Sequence, residues 1–161
     1  MSAGTIIATG IAIILLIITG YILIGGIIST SRIVVMAQQA AAQQEAQRIH
    51  TQIKIFSATT DSSTNVTFIE VNNTGSEIVG DFDNMEVYLL QNGVPYMYMN
   101  QSGSYEWTYL IGPPDQVNPG LLDPGESMNI TVPYDGTKGN ATWVKVTTAN
   151  GVYDSANAVV I

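Results

Sequence analysis

Residues 6–28 read IIATGIAIILLIITGYILIGGII, an unbroken run of 23 residues with eleven isoleucines and no charged side chain. A helix rises about 1.5 Å per residue, so this run reaches across the roughly 30 Å hydrocarbon core of a bilayer. The chain therefore opens with a long apolar helix that spans a membrane at some stage of the protein's life. A cleaved secretory signal carries a basic n-region and a shorter apolar run of about 7–15 residues. Neither is present here, and the segment is expected to be retained. Gly4, Ala8 and Ala12 recur every four positions and offer one helix face on which a neighbouring backbone can come close. The plainer alternative is that Gly and Ala are simply tolerated in membrane helices.

Beyond Arg32 the pattern continues as MAQQAAAQQEAQR over residues 36–48, all strong helix formers with no Pro and no Gly. The helix is expected from about residue 4 to about residue 54, on the order of 75 Å. Ile33, Met36, Ala37 and Ala40 give this half only a weak apolar stripe. So little large apolar surface stabilises poorly alone, which points to packing against copies of itself or its own domain. The organisation read from this is a helix and stalk over 1–55 and a separate domain over 56–161.

The 161 residues suit one modest domain plus an extra element. Met1 to Ser31 carries no charge, and residues 32–60 set Arg32, Arg48 and Lys54 against Glu45. From Asp61 onward twelve acids face only Lys138 and Lys145. A domain so acidic repels phosphate backbones, and nucleic-acid binding is set aside. The absence of cysteine removes disulfides, thiolate metal sites and cysteine nucleophiles together. Asn65, Asn72, Asn100, Asn129 and Asn140 each open an N-x-S/T sequon, all within the distal domain. They point to an external, glycosylated domain; the alternative is that Asn and Thr serve turns and outward strand faces. Arg32, Arg48 and Lys54 conflict with this under the positive-inside rule, but long domains translocate largely regardless of charge.

From Asn65 the period becomes alternating, with turn signals every 8–12 residues. Seven strands are expected, over 66–71, 85–90, 94–99, 105–111, 128–132, 142–148 and 158–161. Asn92-Gly93, Asp123-Pro-Gly125 and Asn150-Gly151 are among the turns between them. The fold class is thus α+β: a long N-terminal hydrophobic helix followed by an immunoglobulin-like β-sandwich. In the strand 128–132, Met128, Ile130 and Val132 point one way and Asn129 the other, which puts that sequon outside. Tyr96 and Tyr98 are expected to pair across a turn with Tyr105, Trp107 and Tyr109. These rings either cover the core or form an interface patch, aromatics being enriched at interfaces.

No catalytic, cofactor or metal residue is assigned. His50 is the single histidine and reads as a solvated or capping side chain. Asp81, Asp83 and Glu86 could hold a divalent cation through oxygen ligands, but the 12-residue loop pattern is missing, so a solvated turn is expected. No P-loop, nucleophile-elbow or zinc-protease motif occurs.

An uncharged Ile-rich helix running into an Ala/Gln-rich stalk and a small sandwich resembles the archaeal type IV pilin superfamily, including archaellins. LDPGESMNITV over 122–132 and WVKVTTANGVYD over 143–154 are similar to the sandwich of archaellins and of the F and G type archaellum stator proteins. The resemblance implies a structural subunit of an archaeal surface filament for motility or adhesion, not an enzyme. Such a subunit sits in the membrane before assembly and then forms a helical homopolymer with the helices as core. Other archaellum components or surface-layer protein are the further partners implied. The alternative is a membrane-anchored stator, a single-pass protein of the cell envelope whose sandwich binds the surface layer. Before the apolar run there is no short basic leader with a Gly cleavage site, which fits a processed subunit or a stator that was never a prepilin.

Overall fold

The computed structural model describes residues 3–100, 106–113, 115 and 117–161. Helix α1 spans Ala3–His50 and is followed by nine strands among the described residues. These are β1 (Ile53–Asp61), β2 (Val66–Asn73), β3 (Glu86–Gln91), β4 (Val94–Met99), β5 (Thr108–Ile111), β6 (Ser127–Pro133), β7 (Ala141–Thr147), β8 (Tyr153–Asn157) and β9 (Val159–Val160). The chain divides into two compact units, Met1–Gln44 and Glu45–Ile161. The fold class is the α+β expected, with two sheets in the second unit. One sheet has the order β5-β6-β2-β1-β9 and the other β4-β3-β7-β8.

Two strands go beyond the seven expected, and each has a physical reason for being hard to read. In β1 the buried residues are Ile53 and Ile55, then Ala58 and Thr60. The buried phase changes because the pairing with β2 slips between Ile55 and Ser57, leaving Phe56 as a bulge. A bulge breaks the period of two that identifies a strand. The helix accordingly stops at His50 rather than near residue 54, and β1 opens at Ile53. Strand β8 is missed because it has almost no apolar content: it reads Tyr-Asp-Ser-Ala-Asn and alternates only between exposed and half-buried.

The core lies between the sheets. Ile69, Val71, Met128, Ile130 and Val132 come from the five-stranded sheet, and Val87, Leu89, Val144 and Val146 from the four-stranded one. Each such side chain contributes roughly 1.5–3 kcal/mol on leaving water. Trp107 is completely buried among them. The β3–β4 hairpin closes through Asn92 and Gly93, both at positive φ (48° and 80°), with Gln91 opposite Val94. Two left-handed residues in a two-residue loop match the twist of the flanking strands, which is why Asn-Gly occupies it.

Several polar groups inside the core are paired, although the buried indole N–H of Trp107 has no partner. Gln91 is fully buried; its Nε2 donates to the carbonyls of Asp135 (3.0 Å) and Gly139 (2.7 Å), and its Oε1 accepts from the Tyr98 hydroxyl at 3.0 Å. Thr60 and Thr67 hydroxyls lie 3.1 Å apart, and Thr60 Oγ1 also donates to the Ala141 carbonyl at 2.9 Å. These bonds tie the loop after β6 and the start of β7 to the opposite layer, and leaving any partner unpaired costs about 1–3 kcal/mol.

Candidate assembly surface

In α1 every described residue is exposed except Gly20, which is half-buried, so the isoleucines and leucines of the apolar half face outward on all sides. Leu16 is 75% exposed and Tyr21 81%. A helix that is apolar all round belongs in lipid or inside a bundle. The hydroxyls within it are satisfied without any neighbour. Thr9, Thr19 and Thr30 donate to the carbonyls of Thr5, Leu15 and Gly26 at 2.8, 2.8 and 2.9 Å. Such back-bonding removes the cost of carrying a hydroxyl into an apolar medium.

Gly4, Ala8 and Ala12 lie exposed on one arc of this helix. The structure adds two shallow notches, one walled by Thr5, Ile6, Gly10 and Ile13 and a longer one running past Ile22, Gly26, Thr30 and Val34. A Cβ added at Gly10 or Gly26 meets nothing within 4 Å, so these notches stand open. The second escaped sequence reading, although Gly26-x-x-x-Thr30 has the small-residue spacing that marks close helix approach.

The last turn of α1, which belongs to the second unit, is held there by backbone groups of the turn after β2. Ser76 and Glu77 N–H donate to the His50 carbonyl at 2.9 and 3.2 Å, and Thr74 and Gly75 N–H donate to the Gln52 carbonyl at 2.8 and 2.9 Å. Helix ends leave carbonyls without intrahelical partners, and here the turn after β2 supplies them. Thr51 Oγ1 donates to the Gln47 carbonyl at 2.8 Å and accepts from Asn150 Nδ2 at 2.7 Å. Asn73 holds the turn itself: its Nδ2 donates to the carbonyls of Glu77 (2.8 Å) and Leu122 (2.9 Å), and its Oδ1 accepts from Gly75 N–H at 3.0 Å. His50 is exposed and its Nδ1 lies 3.4 Å from Ser76 Oγ.

The five sequons sit in different settings. Asn129 is exposed on the outward face of β6, with Met128, Ile130 and Val132 buried. Asn65 is exposed in the β1–β2 turn at φ 56°, while its Thr67 is buried. Asn72 is half-buried, with an Oδ1 that has no partner. Asn140 is exposed and accepts the Tyr134 hydroxyl at 3.2 Å. Asn100 is half-buried just past β4, and the Ser102 of its sequon lies outside the described residues.

The expected aromatic pairing is corrected. Strands β4 and β5 belong to different sheets, because β5 pairs with β6. Alternation identifies a strand's faces but not its sheet. Tyr98 and Trp107 are buried in the core, which takes both out of any surface patch. Tyr109 is 39% exposed and packs on Phe82 (4.5 Å between centroids) and Trp107 (6.0 Å). Tyr96 is half-buried under Lys138 Nζ, 4.4 Å from the ring centroid, and Tyr105 lies outside the described residues.

Of the acidic residues, Asp81 and Glu86 accept hydrogen bonds from neighbouring side chains. Asn84 Nδ2 donates to both Asp81 oxygens at 3.0 and 2.9 Å, and the Tyr88 hydroxyl donates to Glu86 Oε2 at 2.8 Å. Among the described residues no three acids, histidines or cysteines gather into a metal-holding group. Two carboxylates are held below their usual range. Asp61 falls to about 2 because the Ser63 and Thr64 groups of the β1–β2 turn donate to it. Burial pushes Asp154 up, but the Ile55 N–H (2.8 Å), the Lys54 ammonium (3.2 Å) and the Ser155 N–H outweigh it, so the net shift is downward.

The sequence family described as archaeal-type flagellin matches residues 3–157. No curated protein sequence matches the chain. Among solved structures, the archaellum periplasmic stator protein FlaG from Sulfolobus acidocaldarius is similar at 24% identity and a TM-score of 0.50, covering 66% of this chain and 98% of its own. The complex of FlaF and FlaG from the same organism is similar at 23% identity and 0.51, covering 66% of this chain and 88% of its own. Archaeal flagellin FlaB1 from Methanocaldococcus jannaschii aligns at 10% identity and 0.48, covering 66% and 88%. For the two stator structures, at these identities, the likeness is one of fold.

Proposed function

Because the chain belongs to the archaeal-type flagellin family and is a structural protein of the archaellum type, we propose that it is a filament subunit that polymerises with copies of itself through α1. The observation that carries this reading is the exposure of the apolar half of α1 on every side, with its threonine hydroxyls bonded back to its own carbonyls. Such a helix is stable in lipid before assembly and in a helical bundle after it. Because both environments are dry, the gain on assembly comes mainly from close packing and from the Ala/Gln-rich stalk leaving water. Gly4, Ala8 and Ala12, with the notches beside Gly10 and Gly26, are the places where backbones approach.

The sandwich lies outside the cell on this reading and carries N-linked glycan at two or more of the five sequons, Asn129 foremost by its place on the outward face of β6. Catalysis has no part in it. Deleting residues 1–31 is the test: the remaining chain is expected to be soluble and unable to assemble. Filaments formed by the truncated chain would remove α1 as the core. Quantitative proteomics of sheared surface filaments separates this role from a stator's. A filament subunit dominates that fraction, whereas a scarce protein confined to the envelope would point to an anchored domain that binds the surface layer.

A further inference from the structure

The outward face of the four-stranded sheet differs from an ordinary solvated face. Met97 and Met99 on β4, Tyr88 and Leu90 on β3, Trp143 on β7 and Tyr153 on β8 all point outward, alternating with the buried Val87, Leu89, Tyr98, Val144 and Val146. Met97 is 50% exposed and Tyr153 61%. Antiparallel sheets with one wet face alternate apolar with polar, and strands that are apolar on both faces belong to sheets covered on both sides. The outward face of the five-stranded sheet is mixed: Phe68, Leu110 and Val159 alternate there with Thr59, Thr131, Glu70 and Asn129, and none of these positions is a cation.

At the centre of the apolar face stands one cation. Lys145 lies between Tyr88 and Ser155 in the cross-strand register, with Nζ 4.1 Å from the Tyr153 ring centroid and 5.6 Å from that of Tyr88. Lys54 and Lys138 pair with Asp154 and Asp135, whereas Lys145 makes no ion pair among the described residues. The rings hold its ammonium over the sheet, where a carboxylate from outside can reach it. Glu86, the acid on the same face, already accepts the Tyr88 hydroxyl.

We propose that this face is the contact between neighbouring sandwiches in the filament, its apolar side chains covered by a second copy of this chain and Lys145 received by one of that copy's carboxylates. Two arguments select a second copy. The first is charge: a domain with twelve acids against two lysines from Asp61 onward is itself the acidic partner that Lys145 fits. The second is area. Four strands about 4.8 Å apart and about six residues long give a footprint of roughly 400 Å², about half of the ~800 Å² each partner buries in a stable two-body complex. The face therefore holds only where something else brings copies together, and α1 does that by raising the local concentration of sandwiches. Because the acid must come from a different patch of the neighbour, the contact is head-to-tail, the kind that propagates into open helical assemblies.

This contact rests on the filament reading, and its test separates the two. The chain has no cysteine, so single cysteines report burial cleanly. Ser155→Cys and Asn157→Cys lie on the proposed contact face, and Thr108→Cys on the outward side of the other sheet is the control. In detergent-dispersed full-length subunits all three are expected to react with a maleimide at similar rates. In filaments the first two are expected to slow about tenfold or more while Thr108→Cys does not, because packed interface cores exclude water. Lys145→Glu is expected to restore labelling at Ser155→Cys in filaments, and Lys145→Arg to leave it protected. Equal labelling of both face cysteines in intact filaments overturns the contact and leaves the filament reading standing. Protection already present in dispersed subunits overturns it in favour of a different occupant. A wild-type chain that forms no filaments removes the filament reading and the contact together.

Discussion

Replacing Gly75 with alanine tests how the last turn of α1 is held. Gly75 has no left-handed φ, so an alanine there is opposed by contact alone. Its Cβ would fall well inside contact distance of Gln52 N and the His50 carbonyl, both backbone atoms that cannot swing aside as a side-chain tip can. Making room means moving the turn away from the two carbonyls that accept the N–H groups of Thr74, Gly75, Ser76 and Glu77. Overpacking costs typically 1–3 kcal/mol and each weakened hydrogen bond about 1 kcal/mol, so the loss is expected at roughly 2–4 kcal/mol. For a unit of this size that lowers the melting temperature by about 8–16 °C. The assay is thermal unfolding of the full-length chain in detergent, followed by the near-ultraviolet signal of its aromatic side chains, which include both tryptophans, Trp107 and Trp143, of the sandwich. Gly26→Ala is the control, because an added Cβ there meets nothing within 4 Å. If Gly75→Ala melts within about 2 °C of the unaltered chain, the turn is not held as described.

Other consequences can be measured alongside it. The downward shift of Asp154 means that its contribution to stability is fully present above its ordinary value of 3.8 and is lost as pH falls through its lower folded value. The melting temperature is therefore expected to be flat from neutral pH down to about pH 4 and to fall below it, and Asp154→Asn to flatten that fall. Tyr98→Phe leaves the buried Gln91 Oε1 without the hydroxyl that donates to it, and is expected to cost about 1–3 kcal/mol in chemical denaturation. Ala8→Leu or Ala12→Leu is expected to disrupt assembly more than Ile14→Leu, a volume-conserving swap. Normal filaments on cells carrying leucine at both alanine positions, seen by electron microscopy, would mean that the helices meet through their large side chains instead. Intact-mass and glycopeptide measurements on native protein check the sequons, and a mass equal to the bare chain counts against an external sandwich.

Residues 6–28 determine their own structure: with no charge and no Pro, their only stable state in an apolar medium is a helix with its backbone bonds closed internally. The alternation in β6 and the Asn92-Gly93 turn are equally local, since each depends on strand pleat or turn geometry within a few residues. What tertiary structure alone decided is everything that depends on which strands meet. The bulge at Phe56 hides β1 from a period of two, and the assignment of β4 and β5 to different sheets sends Tyr98 and Trp107 into the core. The capping of α1 by the turn after Asn73 brings together residues far apart in sequence, and no spacing encodes it. So it is with Lys145, whose place among the rings of Tyr88 and Tyr153 follows from three strands pairing in one register. Backbone periodicity is a property of neighbouring residues and is written in the chain; pairing partners are chosen by the global minimum of packing and hydrogen bonding, which no local stretch contains.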